Sequence, residues 1–162
     1  MTDEYSLFYL QFIEKNAHEK DEIWHSLSQT QEYKIWCGFA FENICLKHIS
    51  QIKKALSIGG VYSSSSTFSK KGTKSETGTQ IDLVLDRKDQ VINLFEIKFY
   101  NTEFTMTKAY ADQLRERLRL FTRLSKTRNQ VVMTMITTFG LKGNRHSLGL
   151  VEQVLNLEDL FY

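Results

Sequence analysis

At 162 residues, 41% hydrophobic and 25% charged, the chain is long enough for one packed domain and gives little support for two. No run approaches the ~18 apolar residues of a bilayer span, and the acidic, polar beginning lacks the basic region and apolar core of a secretory signal, so the expected location is the cytoplasm. A net charge of +2 is too small to indicate nucleic acid by itself.

Thr2 or Asp3 is placed to cap a first helix in which Tyr5, Phe8, Tyr9, Phe12 and Ile13 form an apolar stripe. A shorter helix is expected around Asp21 to Ser28. From about Gln31 to Ile58, apolar positions recur at Phe41, Cys45, His48, Ile52 and Leu56, which predicts one long helix stopped by Gly59-Gly60. Glu42 lies inside it. Cys37 and Cys45 fall about two turns apart on that helix, too far for a comfortable disulfide, and read as reduced core thiols. Val61 to Ser69 is a predicted strand and Lys70 to Thr79 a polar loop.

Gln80 to Asp86 alternates, placing Ile81, Leu83 and Leu85 on one face and Asp82, Val84 and Asp86 on the other. Arg87 to Gln90 supplies turn chemistry, and a second strand follows with Ile92, Leu94, Glu96 and Lys98 on one face. Ala109, Leu114, Leu118, Phe121 and Leu124 mark another amphipathic helix. Gln130 to Thr138 is a β-branched strand, Phe139 to Ser147 a Gly-rich loop, Leu148 to Leu155 a last strand, and Leu157 to Phe161 a short helix. The order predicts one α/β domain over residues 1–162, with 1–30 as a helical extension and 31–162 as the core.

Positive charge is concentrated. Between Lys108 and Arg128 lie seven basic residues against Asp112 and Glu116, whereas the first sixty residues carry six basic and eight acidic groups. A phosphate backbone running along this helix would account for the asymmetry, and so would a solvated helix face. His18, His25, His48 and His146 are scattered without zinc-ligand spacing, and His48 reads as a packing residue. Ser63 to Ser66 lack a nucleophile elbow, and there is no phosphate-binding Gly-x-x-x-x-Gly-Lys-Ser/Thr loop.

Chemistry concentrates in the hairpin. Glu96 and Lys98 project the same way from an otherwise apolar run, where charges are costly to bury unless paired, hydrogen-bonded or bound to metal. With Asp82 across the hairpin, two carboxylates would hold a hard cation and Lys98 would stand beside them. The alternative is a Glu96/Lys98 ion pair with Asp82 merely near a turn.

The context favours the site. Gly78 precedes an Ile-Asp strand, thirteen residues separate Asp82 from Glu96, and Glu96 opens Glu-Ile-Lys followed by an aromatic residue. This pattern resembles the PD-(D/E)xK nuclease superfamily. In that superfamily an upstream helix commonly carries a glutamate facing the site, a place that Glu42 fills in FENICLKHI. From about Trp36 onward the chain more closely resembles the C-terminal domain of archaeal-type AAA+ ATPases found in bacteria. One departure stands: Gln80-Ile81 occupies the place of the superfamily's variable proline, and the chain contains no proline.

The resemblance implies a restriction-endonuclease-like core, a mixed central β-sheet flanked by helices, with extra N-terminal helices. It implies phosphodiester hydrolysis, with DNA as the expected substrate. Asp82 and Glu96 would hold Mg²⁺ or Mn²⁺ together with the Ile97 carbonyl, and Glu42 would add a ligand directly or through water. Lys98 would orient the attacking water or stabilise the transition state, since neighbouring carboxylates favour its charged form over a basic role. Lys108, Tyr110, Gln113, Arg115 and Arg117 are candidates to contact phosphates. An AAA+ ATPase domain or a second copy of the chain is the expected protein partner. Two other classes stay open: a non-catalytic nucleic-acid-binding module of an ATPase, and an interaction domain that docks through the first helix's aromatic stripe.

Overall fold

Asp3 opens the described chain as a helix cap, its Oδ1 accepting the Ser6 N–H at 2.8 Å. The computed structural model describes residues 3–16, 23–72 and 78–161; Thr2, His18, Asp21 and the middle of the predicted 70–79 loop lie outside them. Helix α1 (Glu4–Phe8) continues through a π-helical turn (Tyr9–Ile13) and a 3-10 turn (Glu14–Asn16), and α2 spans Ile23–Ser28. The predicted stripe is only partly inward: Phe12 is buried, whereas Tyr5, Tyr9 and Ile13 are exposed. Phe8 and Phe12 pack on Trp36, with Trp24 and Tyr33 closing an aromatic cluster.

The predicted long helix is two helices. Thr30 caps α3 (Gln31–Lys47), and α4 spans Ile49–Ala55. His48 departs from helical geometry at φ −110° and ψ 31°, with its Nδ1 2.8 Å from the Ile44 carbonyl oxygen. A side chain engaging the carbonyl one turn back competes with the main-chain ladder, and the apolar repeat runs on across the break. The C-terminus also comes earlier than the diglycine. Ser57, at φ 58°, takes the left-handed position, Ser57 N–H bonds Lys54 O at 2.8 Å, and Ile58 N–H bonds Lys53 O at 2.9 Å. That is a Schellman ending without glycine.

Strands β1 (Ser63–Lys70), β2 (Thr79–Arg87) and β3 (Val91–Lys98) form an antiparallel meander. A short β4 (Phe104–Thr105) leads into α5 (Lys108–Ser125), whose N-cap Thr107 accepts the Tyr110 N–H at 3.2 Å. The helix returns the chain to β5 (Gln130–Thr137), parallel to β3. Then β6 (Leu141–Lys142), inside the predicted Gly-rich loop, pairs with β4, and β7 (Val151–Leu155) pairs parallel with β5. The main sheet is therefore mixed, in the order β1-β2-β3-β5-β7, with a 3-10 turn (Glu158–Leu160) near the end.

Helices cover both faces. On one side Phe41, Cys45 and Ile52 pack with Leu83, Phe95 and Ile97. On the other, Ala111, Leu114 and Phe121 of α5 pack with Leu94, Met133 and Met135. The inward row on α5 thus starts at Ala111 and includes Leu120, while the predicted Ala109 and Leu124 are exposed.

One expectation about β2 is corrected. Strict alternation put Ile81 with Leu83 and Leu85, but Ile81 belongs to the α5-side cluster and the two leucines to the α3/α4 side. The cause is a β-bulge: Ser66 pairs Val84 and Phe68 pairs Ile81, so Asp82 and Leu83 together face the single residue Thr67. The extra residue reverses the inside–outside order at Asp82.

Candidate active site

The bulged strand and its neighbour deliver Asp82 and Glu96 to the same end of the sheet. Main-chain pairing between β2 and β3 runs as far as Leu83 opposite Phe95. One step further, the Asp82 side chain takes the place of a main-chain partner: Oδ2 accepts the Ile97 N–H at 2.9 Å. Glu42 arrives from α3, and Glu42, Asp82, Glu96 and Lys98 all line one cleft of about 390 Å³. Lys34 and Gly38 of α3, Gln80 of β2 and Arg117 of α5 share its wall.

Glu96 is buried, and both its oxygens are occupied. Tyr110 Oη donates to Oε1 at 2.5 Å and Arg117 Nη1 to Oε2 at 2.5 Å. Such charge-assisted bonds offset the cost of burying a carboxylate. Lys98 keeps to the same side, its Nζ 5.8 Å from the centroid of the Tyr110 ring. Tyr110 therefore supports both ends of the Glu-x-Lys pair.

Three carboxylates, Glu42, Asp82 and Glu96, share the cleft with Lys34, Lys98 and Arg117, and burial sets the protonation of the acids more than the charge balance does. Burial first, then the Glu96 and Glu42 charges, raise the Asp82 carboxyl to about 6, against the lowering influence of the Ile97 N–H and Arg117. Burial and the Glu96 charge likewise raise Glu42. Burial and Glu96 push the Tyr110 hydroxyl upward, which keeps it a donor. Cys45, pushed up to about 12 chiefly by burial, stays a neutral core thiol, and neither cysteine is in a disulfide.

The donor set suits a hard cation. It offers only oxygens, and each Glu96 oxygen has a second lone pair beyond the bond it already accepts. The raised Asp82 and Glu42 carboxyls mark charge that a divalent ion would neutralise. As the side chains stand, no three His, Cys, Asp or Glu among the described residues form a ready metal cage. Water and main-chain oxygen would have to complete the shell.

The five expected phosphate contacts separate into two groups. Tyr110 and Arg117 turn inward, each bonded to a Glu96 oxygen. Lys108 and Arg115 stay on the outer face and share Asp112, each at 3.0 Å, with Gln113 exposed beside them. Sequence reasoning missed the inward pair because α5 is basic on several sides. The available signal was spacing: seven residues place Tyr110 and Arg117 about two turns apart on one helix face. If the outer face binds DNA, changing Lys108, Arg115 and Arg119 together to Gln should weaken binding across sequences and flatten its logarithmic salt slope by up to about three. An unchanged slope in a titration from low to high salt would make these residues a solvated face.

No family model and no curated protein matches the chain. The crystal structure of a protein of unknown function, AF1548, is similar at a TM-score of 0.48 and 14% identity, covering 72% of this chain. The chain spans 64% of the length of that protein. No described helix is long and apolar enough to cross a membrane.

Proposed function

We propose that this chain is a metal-dependent phosphodiesterase with a restriction-endonuclease-like core, acting on DNA and akin to the PD-(D/E)xK nuclease superfamily. In this reading it is akin to the nuclease-like domain of archaeal-type AAA+ ATPases, whose ATPase domain would be the partner. One observation carries the proposal. Glu42, Asp82, Glu96 and Lys98, which come from three separate elements and were singled out by their motif, line a single cleft.

Asp82 and Glu96 would hold Mg²⁺ or Mn²⁺, with Glu42 contributing directly or through water. An extended residue projects its N–H and C=O to the same side, so the Ile97 carbonyl shares the edge that Asp82 occupies. A bound cation would supply hydroxide near neutral pH and neutralise charge on the phosphate oxygens. Lys98, braced against the Tyr110 ring, places a positive charge where the phosphate becomes more negative. Tyr110 and Arg117 fix the orientation of Glu96.

A second reading, a non-catalytic DNA-binding module, is favoured by the internal engagement of both Glu96 oxygens. Supercoiled plasmid separates the two. The purified chain with Mn²⁺ or Mg²⁺ should nick it slowly, and EDTA should stop the reaction. DNA binding without cleavage under every divalent metal would select the module.

A further inference from the structure

Glu96 already has a cation. The Arg117 guanidinium sits on Oε2, and it also acts electrostatically on Asp82, so it lies within the field of both carboxylates that would hold a metal. A divalent ion placed between Asp82 and Glu96 would stand close to this permanent positive charge, and the two would repel. Arg117 is not locked in: about a third of its side chain is exposed, at 31%, and it lines the open cleft. Glu96, by contrast, is 10% exposed along its side chain and is also held by Tyr110. When a cation arrives, the group with room to move is the arginine.

We infer that Arg117 is a built-in counter-ion that the divalent cation displaces from Glu96, and that its displacement turns the guanidinium toward a substrate phosphate in the same cleft. The inference rests on the reading of this cleft as a cation site. Without metal, the Arg117–Glu96 pair neutralises the buried carboxylate and withholds the arginine from DNA. With metal, the carboxylate charge is taken over by the ion. The guanidinium then presents its planar donor fork to phosphate oxygens, a geometry that lysine does not offer. Cation binding and phosphate binding thereby become linked, each favouring the other.

The test measures Mn²⁺ binding from the magnetic-resonance signal of the unbound ion, using the full chain. Arg117→Met should bind Mn²⁺ roughly ten-fold more tightly than wild type, because a competing positive charge has gone. Arg119→Met, which removes the same charge from an exposed position on α5, should leave the affinity unchanged. If the methionine variant fails to fold, Arg117→Gln keeps a donor for Glu96 without the charge and should shift the affinity in the same direction. A second measurement follows DNA binding with non-cleaving Ca²⁺ or with EDTA. Loss of Arg117 should reduce affinity by a larger factor in Ca²⁺, where the arginine is released. Unchanged or weaker Mn²⁺ binding by both Arg117 variants, or an equal DNA loss in Ca²⁺ and EDTA, overturns the exchange while the cation site stands. Absence of Mn²⁺ binding by wild type itself removes the cation site, and the exchange with it.

Discussion

Asp82→Asn should make the metal-free protein more stable at pH 7.5, by about 3 kcal/mol at most, while abolishing stabilisation by added Mn²⁺. The folded-state Asp82 carboxyl lies at about 6, against 3.8 for an unperturbed aspartate, and burial is the main cause. A raised carboxyl means that the native state holds the proton more tightly than the unfolded chain does. Asp82 therefore contributes fully to stability below about pH 4, and the contribution is lost as pH rises through about 6. Asparagine stays neutral throughout, and its carbonyl oxygen still accepts the Ile97 N–H. The gap between variant and wild type should open between pH 4 and pH 6 and stay constant above. Denaturant unfolding at a series of pH values, with EDTA present, reads this directly. A pH-independent difference would mean that the carboxylate is not the strained group. Mn²⁺ stabilising both proteins equally would remove Asp82 from the ligand set. Stability given up at one buried carboxylate is a common signature of a site tuned for binding rather than folding.

The parts of the fold legible in the sequence were those governed by local chemistry. The β2–β3 hairpin follows from alternation and a polar turn whose Gln90 takes φ 67°, and α5 follows from the apolar period through Leu114, Leu118 and Phe121. The convergence of Asp82, Glu96 and Lys98 was legible because two paired strands and a two-residue period leave few arrangements. What escaped was set by tertiary context. A hydrophobic count does not register the extra residue of the bulge, so Ile81 was put on the wrong face even though Asp82 reached the cleft. The break at His48 hides under an apolar repeat that continues through it, and a serine at the left-handed helix end gives no glycine signal. The bonds of Tyr110 and Arg117 to Glu96 also escaped, because composition alone does not show which side of α5 meets the sheet. Once Ala111 and Leu114 are known to point inward, the neighbouring rows that flank the site follow.

Lys98→Ala and Glu96→Gln should each reduce metal-dependent nicking by about 100-fold or more, the scale expected when one electrostatic group is removed from a reacting centre. The two losses should have different origins. Glu96→Gln removes the ligand charge at nearly constant shape, so Mn²⁺ affinity should fall together with the rate. Lys98 is not an oxygen ligand, so Lys98→Ala should leave Mn²⁺ binding in place and lower the rate of the bound complex, since its charge matters most as the phosphate becomes more negative. Each variant also alters its surroundings: Glu96→Gln leaves the Tyr110 hydroxyl a neutral acceptor at best and takes the charge partner from Arg117, and Lys98→Ala removes the cation over the Tyr110 ring. Thermal unfolding must therefore match wild type before the rates are compared. Contaminating nucleases are controlled by preparing all three proteins identically. Variants that cleave like wild type would place the activity outside this cleft. A Lys98→Ala protein that loses Mn²⁺ binding as completely as Glu96→Gln would make the lysine a support for the carboxylates instead of a group acting on the phosphate.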